Sequence, residues 1–401
     1  MRASTVLFAA SSLAVASATG GLLPAGVKTP NTNGFKDPIV HLSKGGRAVC
    51  VSGYIPVEAF TDKGLKFNFE VPETQIGLTE TFLEYVTPGS GFMDKITDGM
   101  MSINGTYQMY STLCTPAHSM PKGVQLLTHG VGFDSSYWDF APGYSYVDVA
   151  VEYGYATFSY DRLATGKSDK PAPLMVQTPI ELEIANNLVK MLRSGKMCDH
   201  RFDKVVGAGH SYGSLLTQGI TAKYPMSLDA AILTGFSVNT SAIQTFITGL
   251  NLAIAAQNQP DRFHGLDPGY LVSNSVISNQ IGFFKAPGFD PKILTAAEAT
   301  KGPVTYGQLF SQSAVSGPAI NYVSPVAVVD GESDLPFCYG NCSTPMDLAN
   351  AVRPALYPML AGSKFGHYLA PVAGHGLNLH YSAVTAYHYI QDFLKDQGLG
   401  M

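Results

Sequence analysis

The spacing of apolar residues changes at about residue 123. Upstream, residues 47–57, 65–71 and 107–113 are rich in β-branched and aromatic side chains with partial alternation, which is typical of strands. Downstream, short apolar runs alternate with stretches of helical spacing such as 180–193. The apolar runs are 124–128, 155–160, 205–208, 230–234 and 326–329. This alternation predicts an α/β fold with a mostly parallel central sheet and helices on both faces.

The alternation is interrupted between about 236 and 321. Here Ile243, Phe246, Ile247 and Leu250 stand at helical spacing. Because structureless loops of such length are uncommon in compact domains, we expect an inserted helical cap, the alternative being a long surface loop. The aromatic residues of this cap, which either face a substrate or only hold the cap on the sheet, are Phe246, Phe263, Tyr270, Phe283, Phe284 and Phe289. The expected segments are 1–18 (signal peptide), 19–122 (strand-rich), 123–235 (core, first part), 236–321 (cap) and 322–401 (core, second part).

The first 18 residues have the features of a secretory signal peptide. Arg2 precedes an apolar run too short to span a bilayer, and Ala16-Ser17-Ala18 is a small-x-small cleavage site. We therefore expect a secreted protein without a stable membrane anchor, the alternative being an uncleaved N-terminal anchor. The sequons that secretion would expose to glycosylation begin at Asn104, Asn239 and Asn341.

Five cysteines in an oxidising compartment suggest two disulfides and one free thiol. Cys338 and Cys342 are close enough for a local loop, which leaves Cys50 for Cys114 and Cys198 unpaired, although sequence alone does not fix this connectivity. The Cys-x3-Cys spacing has no nearby pair of Cys or His to complete four ligands, so we expect neither a metal nor another cofactor.

Composition narrows the range of partners. Hydrophobic residues at 45% and charged residues at 14% suit a globular protein with a large interior. The net charge of -5, without a basic cluster, argues against a nucleic-acid partner. We expect a small-molecule substrate instead.

The stretch from Gly209 to Gly213 reads G-x-S-x-G between a buried-type strand and a run with helical spacing that stops at Pro225. Strand, sharp turn and helix form the context in which this motif presents a nucleophilic serine. We therefore expect Ser211 to be a nucleophile, the alternative being a glycine-rich structural turn.

A serine nucleophile needs a base, and the base needs an orienting acid. The loop after 326–329 offers Asp334, with Asp330 and Glu332 as alternatives. The base is expected in the glycine-flanked loop that precedes the helix 383–394, where His375 is favoured over His380. Alternatively, the three carboxylates only cap or solvate a turn.

An oxyanion formed in such a site needs two backbone donors. The N–H of Tyr212, at the start of a helix, is one candidate, and the N–H of Val131, after the turn His129-Gly130, is the other. His129 itself is expected to brace that turn by hydrogen bonding rather than to titrate.

Five motifs stand in an order that resembles the α/β-hydrolase fold, in particular its secreted fungal branch, over roughly residues 120–395. They are Thr128-His129-Gly130, Tyr160 to Asp169, Gly209 to Gly213, Gly331 to Asp334 and Gly374-His375-Gly376. The resemblance implies Ser211, Asp334 and His375 as a catalytic triad, Val131 and Tyr212 as oxyanion donors, and 161–169 as a structural turn. One departure is Ala164, where many relatives have glycine. The family also contains halide-removing enzymes with an aspartate nucleophile, a chemistry against which Ser211 argues.

The leading hypothesis is a serine hydrolase that cleaves a carboxylic ester or lactone through an acyl-enzyme. A peptidase or amidase with the same triad is an alternative, although the cap lacks an obvious acidic cluster for a substrate amine. A biosynthetic enzyme of secondary metabolism that transfers or cyclises acyl groups is another. A binding protein on an inactive hydrolase scaffold is disfavoured by the intact set of Ser211, Asp334 and His375.

Overall fold

A nine-stranded sheet runs through the part of the chain that the computed structural model describes, which is residues 29–117, 121, 123–315 and 317–400. The sequence-predicted signal peptide lies outside these residues. The strands of this sheet, in chain order, are β1 (Lys36–Leu42), β2 (Ala48–Phe67), β3 (Thr97–Pro116), β4 (Gly123–Thr128), β5 (Ala156–Tyr160), β6 (Lys204–His210), β7 (Ala230–Thr234), β11 (Val326–Gly331) and β12 (Phe365–Ala370). The cap contributes the short strands β8 (Ala253–Ile254), β9 (Tyr270–Val272) and β10 (Val304–Thr305).

The order of the strands is β1-β2-β3-β5-β4-β6-β7-β11-β12. The strands β5, β4, β6, β7, β11 and β12 are mutually parallel, while β1, β2 and β3 extend the sheet in antiparallel fashion. Every residue of β4, β5, β7 and β11 is buried, as expected for parallel strands covered on both faces. Ligands of such sheets bind beyond the carboxyl ends of the strands, and the loops after β6, β11 and β12 meet at that edge.

Helices connect the parallel strands and cover the sheet. The α-helices are α1 (Gln75–Val86), α2 (Phe92–Ile96), α3 (Tyr146–Glu152), α4 (Thr178–Ser194), α5 (Tyr212–Lys223), α6 (Ile243–Leu250), α7 (Ala255–Asn258), α8 (Pro260–Phe263), α9 (Val276–Phe283), α10 (Pro291–Thr300), α11 (Tyr306–Phe310), α12 (Leu335–Cys338), α13 (Val352–Leu356) and α14 (Ala383–Leu394). Single turns of 3-10 helix occur at Ser135–Trp138, Gln312–Val315, Gly362–Lys364 and Leu377–Leu379, and a π-helical turn ends the chain at Lys395–Leu399. Among the described residues, none of the helices has the length and apolar character needed to cross a bilayer.

The strands β2 and β3 form a long hairpin, whose far end extends past the other strands of the sheet. β2 and β3 pair from Ala48 with Pro116 to Phe67 with Thr97, but β5 continues this ladder only at residues 111–114. We call the far end of this hairpin, residues 56–109, the arm. It carries α1 and α2, so the segment expected to be strand-rich also contains helices.

The cap contains the expected helices, α6 to α11, and also an antiparallel sheet in the order β10-β9-β8. Its strands have only two or three residues each, which is too short for a periodic pattern to reveal. The cap is therefore a mixed structure rather than a purely helical one.

Two cysteine pairs lie at disulfide-bonding distance, Cys50 with Cys114 and Cys338 with Cys342. Cys198 is a free, buried thiol. The first pair joins directly opposed residues of β2 and β3, and the second closes the loop after β11.

Candidate active site

Ser211 occupies the sharp turn between β6 and α5. Its φ of 54° and ψ of −116° are unusual for a residue with a side chain. The turn is held against β7 by a hydrogen bond of 2.9 Å from the N–H of Ser211 to the carbonyl oxygen of Thr234. This strained strand-turn-helix geometry is that of a nucleophile elbow, which presents the serine hydroxyl at the edge of the sheet.

Two glycines of the motif allow this turn to pack. A Cβ atom on Gly209 would collide with the carbonyl group of Gly213, and a Cβ atom on Gly213 would collide with the carbonyl group of Thr128. The atoms in the way belong to the backbone, so a change of rotamer would not relieve either collision. Glycine is therefore required where β6, α5 and β4 approach one another.

A line of hydrogen bonds joins the three side chains that the sequence singled out. His375 Nε2 lies 2.8 Å from Ser211 Oγ, and His375 Nδ1 lies 2.5 Å from Asp334 Oδ2. Asp334 is completely buried and His375 is only 1% exposed. With Nδ1 donating to the carboxylate, Nε2 accepts the hydroxyl proton of Ser211, which is the arrangement that a general base requires.

The alternative acids lie elsewhere. Glu332 is exposed, and Asp330 is buried at the end of β11, where it contacts Asp334 rather than bonding to the imidazole. Asp334 caps the short helix α12, with its Oδ1 accepting the N–H of Phe337 at 2.9 Å. Thus the loop geometry leaves Asp334 Oδ2 as the acceptor for His375.

Burial dominates the electrostatics of the pair. It raises the pKa of Asp334 to about 7, although hydrogen bonds from Asp330 and from the N–H of Phe337 lower it. Burial lowers the pKa of His375 to about 4. The imidazole is therefore neutral at neutral pH, as a base must be.

His380, the alternative base, instead holds the loop that carries His375. Its Nδ1 donates to the carbonyl oxygen of Gly376 at 2.9 Å, and its Nε2 accepts the N–H of Gly374 at 3.1 Å and that of Lys285 at 2.9 Å. Burial lowers the pKa of His380 to about 4, which keeps Nε2 available as an acceptor. The second histidine thus ties both glycines beside His375 to the cap.

The expected oxyanion donors lie next to the serine. Val131 and Tyr212 line the same cavity as Ser211. Tyr212 is the first residue of α5, where N–H groups have no acceptor within the helix. A Cβ atom on Gly130 would be 3.0 Å from the Cβ of Ser211, so the chain before Val131 passes directly over the nucleophile.

Buried polar contacts brace the turn before Val131. His129 Nδ1 donates to the carbonyl oxygen of Gly130 at 2.8 Å, and its Nε2 accepts the N–H of Arg162 at 3.0 Å. Burial lowers the pKa of His129 well below its usual value, so it stays neutral. Arg162 Nε also donates to the carbonyl oxygen of His129 at 3.0 Å.

The same arginine connects this turn to the helix that follows the nucleophile. Arg162 and Glu181 form an ion pair of 2.7 Å with both side chains at most 2% exposed. The guanidinium lies 4.4 Å from the ring centre of Tyr212, and the Tyr212 hydroxyl donates to Glu181 Oε2 at 2.8 Å. The side chain of Tyr212 therefore has a structural role in this buried network.

The motif from Asp161 to Asp169 forms a tight turn. Asp161 accepts hydrogen bonds from the N–H and hydroxyl of Ser135 and from the N–H of Lys167. Ala164 has a φ of 75°, in the left-handed region that glycine adopts without strain. Glycine would therefore be less strained than alanine at this position.

A cavity of about 690 Å³ opens at Ser211. Asp94, at the surface, is the one charged side chain among the described residues that line it. The apolar lining comes from the cap and from the sheet edge and includes Val131, Leu215, Phe236, Ile243, Phe246, Ile247, Leu250, Leu252, Leu309, Phe310, Phe337 and Leu356. The site can therefore enclose a sizeable uncharged group.

Part of this cavity wall was missed in the sequence. The cavity is also lined by Leu65, Tyr85, Met93 and Thr97 of the arm. The arm is attached to the cap by an aromatic cluster of Phe67, Phe69, Phe82, Tyr85, Phe92, Tyr306 and Phe310. A local signal for α1 does exist, because Leu78, Phe82 and Tyr85 follow Thr74 at helical spacing.

Few of the cap aromatics reach the substrate space. Phe246 lines the cavity. Phe283 lies behind the site, nearly parallel to the imidazole of His375 at 19° and 5.9 Å between ring centres. The others serve packing, with Phe263 and Tyr270 in the core and Phe284 and Phe289 around His380.

The sequons differ in accessibility. Asn104 and Asn341 are exposed, whereas Asn239 is half-buried between Val238 and Thr240, which line the cavity. Its Oδ1 accepts the N–H and the hydroxyl of Ser241.

One cluster of metal-ligand types occurs in the described residues. Asp330 and the sulfur atoms of Cys338 and Cys342 lie within 4.8 Å of one another. The two sulfurs are bonded to each other, so they do not offer the thiolates that bind metal ions.

Fold and site together define a class: an α/β protein with a serine at a nucleophile elbow and an aspartate and a histidine on the following loops. Residues 125–387 match the model of the alpha/beta hydrolase family. The chain belongs to the α/β hydrolase family.

The chain is also similar to several solved structures. A carboxylesterase of Nitrososphaera gargenis is 13% identical, with 73% of this chain and 96% of that chain covered and a TM-score of 0.50. A bromoperoxidase from Bacillus anthracis is 18% identical, with 73% and 96% covered and a TM-score of 0.49. The enol-lactonase from Burkholderia xenovorans LB400 is 16% identical, with 72% and 97% covered and a TM-score of 0.48. A comparison with curated proteins gave no significant match.

Proposed function

We propose that this protein is a serine hydrolase that cleaves an uncharged carboxylic ester or lactone through an acyl-enzyme. The observation that carries the proposal is the line of hydrogen bonds from Ser211 through His375 to Asp334, which ends at a largely apolar cavity. A carboxylesterase is among the similar structures.

In the acylation step, Ser211 Oγ attacks the ester carbonyl carbon while His375 Nε2 takes the hydroxyl proton. The carbonyl oxygen becomes an oxyanion that accepts hydrogen bonds from the N–H groups of Val131 and Tyr212. When the tetrahedral intermediate collapses, the bond to the leaving oxygen breaks and His375 returns its proton to that oxygen. Asp334 stabilises the imidazolium throughout but does not itself take the proton.

Water then takes the place of the alcohol, and the reaction steps occur in reverse order. His375 removes a proton from water as the hydroxide adds to the acyl carbon, and the acid leaves Ser211 as the proton returns to Oγ. In a lactone, acid and alcohol belong to one molecule, so a single hydroxy acid is released. No cofactor takes part in these steps.

The cavity favours uncharged groups over peptides. Its lining is apolar apart from a few amides and hydroxyls, and Asp94 lies at its surface. Each methylene buried in such a space adds about 0.8 kcal/mol of favourable transfer free energy. A graded rise in kcat/KM with the size of the apolar group is therefore expected, rather than a sharp cutoff.

The test combines a variant with a covalent probe. Ser211→Ala should reduce kcat for p-nitrophenyl esters by at least about 10³-fold while the circular dichroism spectrum stays unchanged. Ser313→Ala, which also removes a serine hydroxyl from the cavity lining, should keep full activity. An alkyl fluorophosphonate should label wild type and Ser313→Ala at Ser211 but leave Ser211→Ala unlabelled. Labelling elsewhere, or faster cleavage of aminoacyl anilides than of esters, would reject the proposal.

We also propose that the enzyme is secreted, glycosylated and oxidised. The apolar N-terminal segment with its cleavage site supports secretion, and two cysteine pairs at bonding distance suit an oxidising compartment. N-terminal sequencing of the medium fraction should begin near Thr19, and glycosidase treatment should lower the apparent mass. An intracellular product that retains residues 1–18 would contradict this localisation.

A further inference from the structure

Asp330 is a buried carboxyl group that the proposed reaction does not use. It lies at the end of β11 with no exposed surface. Its Oδ1 accepts the N–H of Gly331 at 2.8 Å. Its carboxyl group also lies close enough to that of Asp334 for each to affect the pKa of the other. Two carboxyl groups therefore meet inside the protein, directly behind the imidazole of His375.

A hydrogen bond between two carboxyl groups requires a proton on one of them, because an ionised carboxylate only accepts. Asp334 already accepts hydrogen bonds from His375 Nδ1 and from the N–H of Phe337, and both contacts favour its ionised form. Burial and the adjacent Asp334 charge raise the pKa of Asp330 well above its usual value. The shared proton therefore resides on Asp330.

We propose that Asp330 is a positioning residue, whose protonated carboxyl group donates a hydrogen bond to Asp334 and holds that carboxylate ionised and aligned with His375. The proposal rests on the assignment of Asp334 and His375 to the triad. Asp330 does not exchange its proton during turnover. It acts by fixing one carboxylate rotamer and by supplying a donor where solvent is excluded.

The surroundings of the pair contain no cation in the described residues. The ionisable groups that face it are His375 from the loop after β12 and Tyr137 from the 3-10 turn after β4, and His210 from the end of β6 packs against both of these rings. Burial lowers the pKa of His210 and raises that of Tyr137, so both are neutral. The disulfide closes the remaining side, with Cys342 Sγ 3.9 Å from Asp330 Oδ2. A hydrogen bond is thus the means available for stabilising Asp334.

Two substitutions separate the hydrogen bond from mere packing. Asp330→Asn keeps the shape, with Oδ1 to accept from Gly331 and Nδ2–H to donate to Asp334. Asp330→Leu keeps the branched shape, with bulkier methyl groups in place of the oxygens, but has no donor. We expect Asp330→Asn to stay within about threefold of the wild-type kcat, and Asp330→Leu to lose about tenfold or more with KM unchanged. In Asp330→Leu, the acid limb of kcat/KM should also move to higher pH, since Asp334 loses a donor that favours its ionised form.

Asp334→Asn, measured in parallel, distinguishes two kinds of failure. If Asp334→Asn keeps wild-type activity, the proposed triad is wrong. If Asp334→Asn is inactive while Asp330→Leu keeps both the wild-type kcat and the wild-type acid limb, the role of Asp330 alone is wrong. Equal losses in Asp330→Asn and Asp330→Leu would likewise overturn it, because the amide preserves the donor.

A spectroscopic measurement covers the case in which Asp330→Leu does not fold. The infrared difference spectrum between wild type and Asp330→Asn at weakly alkaline pH should show the carbonyl stretch of a protonated carboxylic acid in wild type only. Absence of that band from wild type would overturn the proposal without any kinetic data.

Discussion

At the level of single residues, burial shifts the pKa values of two neighbouring groups, Asp334 and His375, in opposite directions. Burial raises the pKa of Asp334 to about 7 and lowers that of His375 to about 4. As pH falls, Asp334 therefore takes up the first proton. A protonated Asp334 donates to Nδ1 instead of accepting from it, which leaves the imidazole in the tautomer that cannot accept from Ser211.

From this order of protonation we predict an acid limb in kcat/KM near pH 7, governed by Asp334. The rate constant should fall about tenfold per pH unit below that limb, because one proton inactivates the enzyme. The limb is determined by measuring kcat/KM for an uncharged ester across the pH range at constant ionic strength. Circular dichroism at each pH excludes unfolding as the cause. A limb close to pH 4 would show instead that His375 takes the first proton.

Much of the residue-level picture could be predicted from sequence, because Ser211 and His375 stand in local contexts that define them. Ser211 lies between glycines at a strand-helix junction, and His375 lies between glycines before the last helix. The pairing of Asp330 with Asp334 could not be predicted in this way. The turn after β11, not the spacing of the two residues, decides that their carboxyl groups meet.

At the level of elements, the Arg162–Glu181 pair connects three parts of the site. Arg162 belongs to the turn after β5, Glu181 to the first turn of α4, and their shared partner Tyr212 begins α5. Glu181 Oε2 also accepts from Gln308 of the cap at 3.0 Å. The pair therefore holds core, nucleophile helix and cap together in a region closed to solvent.

Glu181→Gln is predicted to be strongly destabilising. The neutral amide leaves the guanidinium of Arg162 buried without a counter-charge, which costs about 3–5 kcal/mol. The matched control is Asp98→Asn, which breaks the Lys66–Asp98 pair, whose side chains are 58% and 62% exposed. That change should cost at most about 1 kcal/mol. Urea unfolding curves for both variants give the comparison, and equal losses would refute a special role for the buried pair.

The pattern of apolar residues predicted the elements that are buried on both faces. It missed elements that are very short or only partly buried. The apolar runs at β4, β6 and β7 and the helix α14 agree with the structure. The strands of the cap sheet are too short to leave a pattern. The helix α1 follows a strand-rich stretch, and only its inner residue Leu78 is fully buried, so its apolar stripe is weak.

At the level of the whole molecule, the cavity is assembled from pieces of chain that are far apart in sequence. Ser211 comes from the core, and other parts of the lining come from the cap and from the arm. Local patterns carry no information on which distant segments meet. The arm therefore could not be placed over the site from sequence, although its strands were expected.

We predict that Phe92 is important for the packing of the arm against the cap. Its side chain is 5% exposed and contacts Phe69, Tyr85 and Phe310. Phe92→Ala should cost about 3–5 kcal/mol in stability. It should also raise KM for the bulkiest esters more than for acetate esters, because Tyr85 and Phe310 line the cavity.

Phe60→Ala serves as the control for this variant. Phe60 lies on the same arm but is 58% exposed, so its truncation should change neither thermal unfolding nor KM. A Phe92→Ala protein with wild-type stability and a uniform change in KM would show that the aromatic cluster does not shape the cavity.

The contact between arm and cap also has a consequence for folding during synthesis. Tyr85 donates to the carbonyl oxygen of Leu309, 224 positions further along the chain. During synthesis the arm emerges long before its partner, and contacts of such sequence separation form slowly. The aromatic residues of the arm are therefore synthesised well before their partners Tyr306 and Phe310, and until then they form an apolar surface that favours aggregation of the nascent chain. The parts of the cavity lining that come from the cap and from the loop after β11 are likewise synthesised after Ser211.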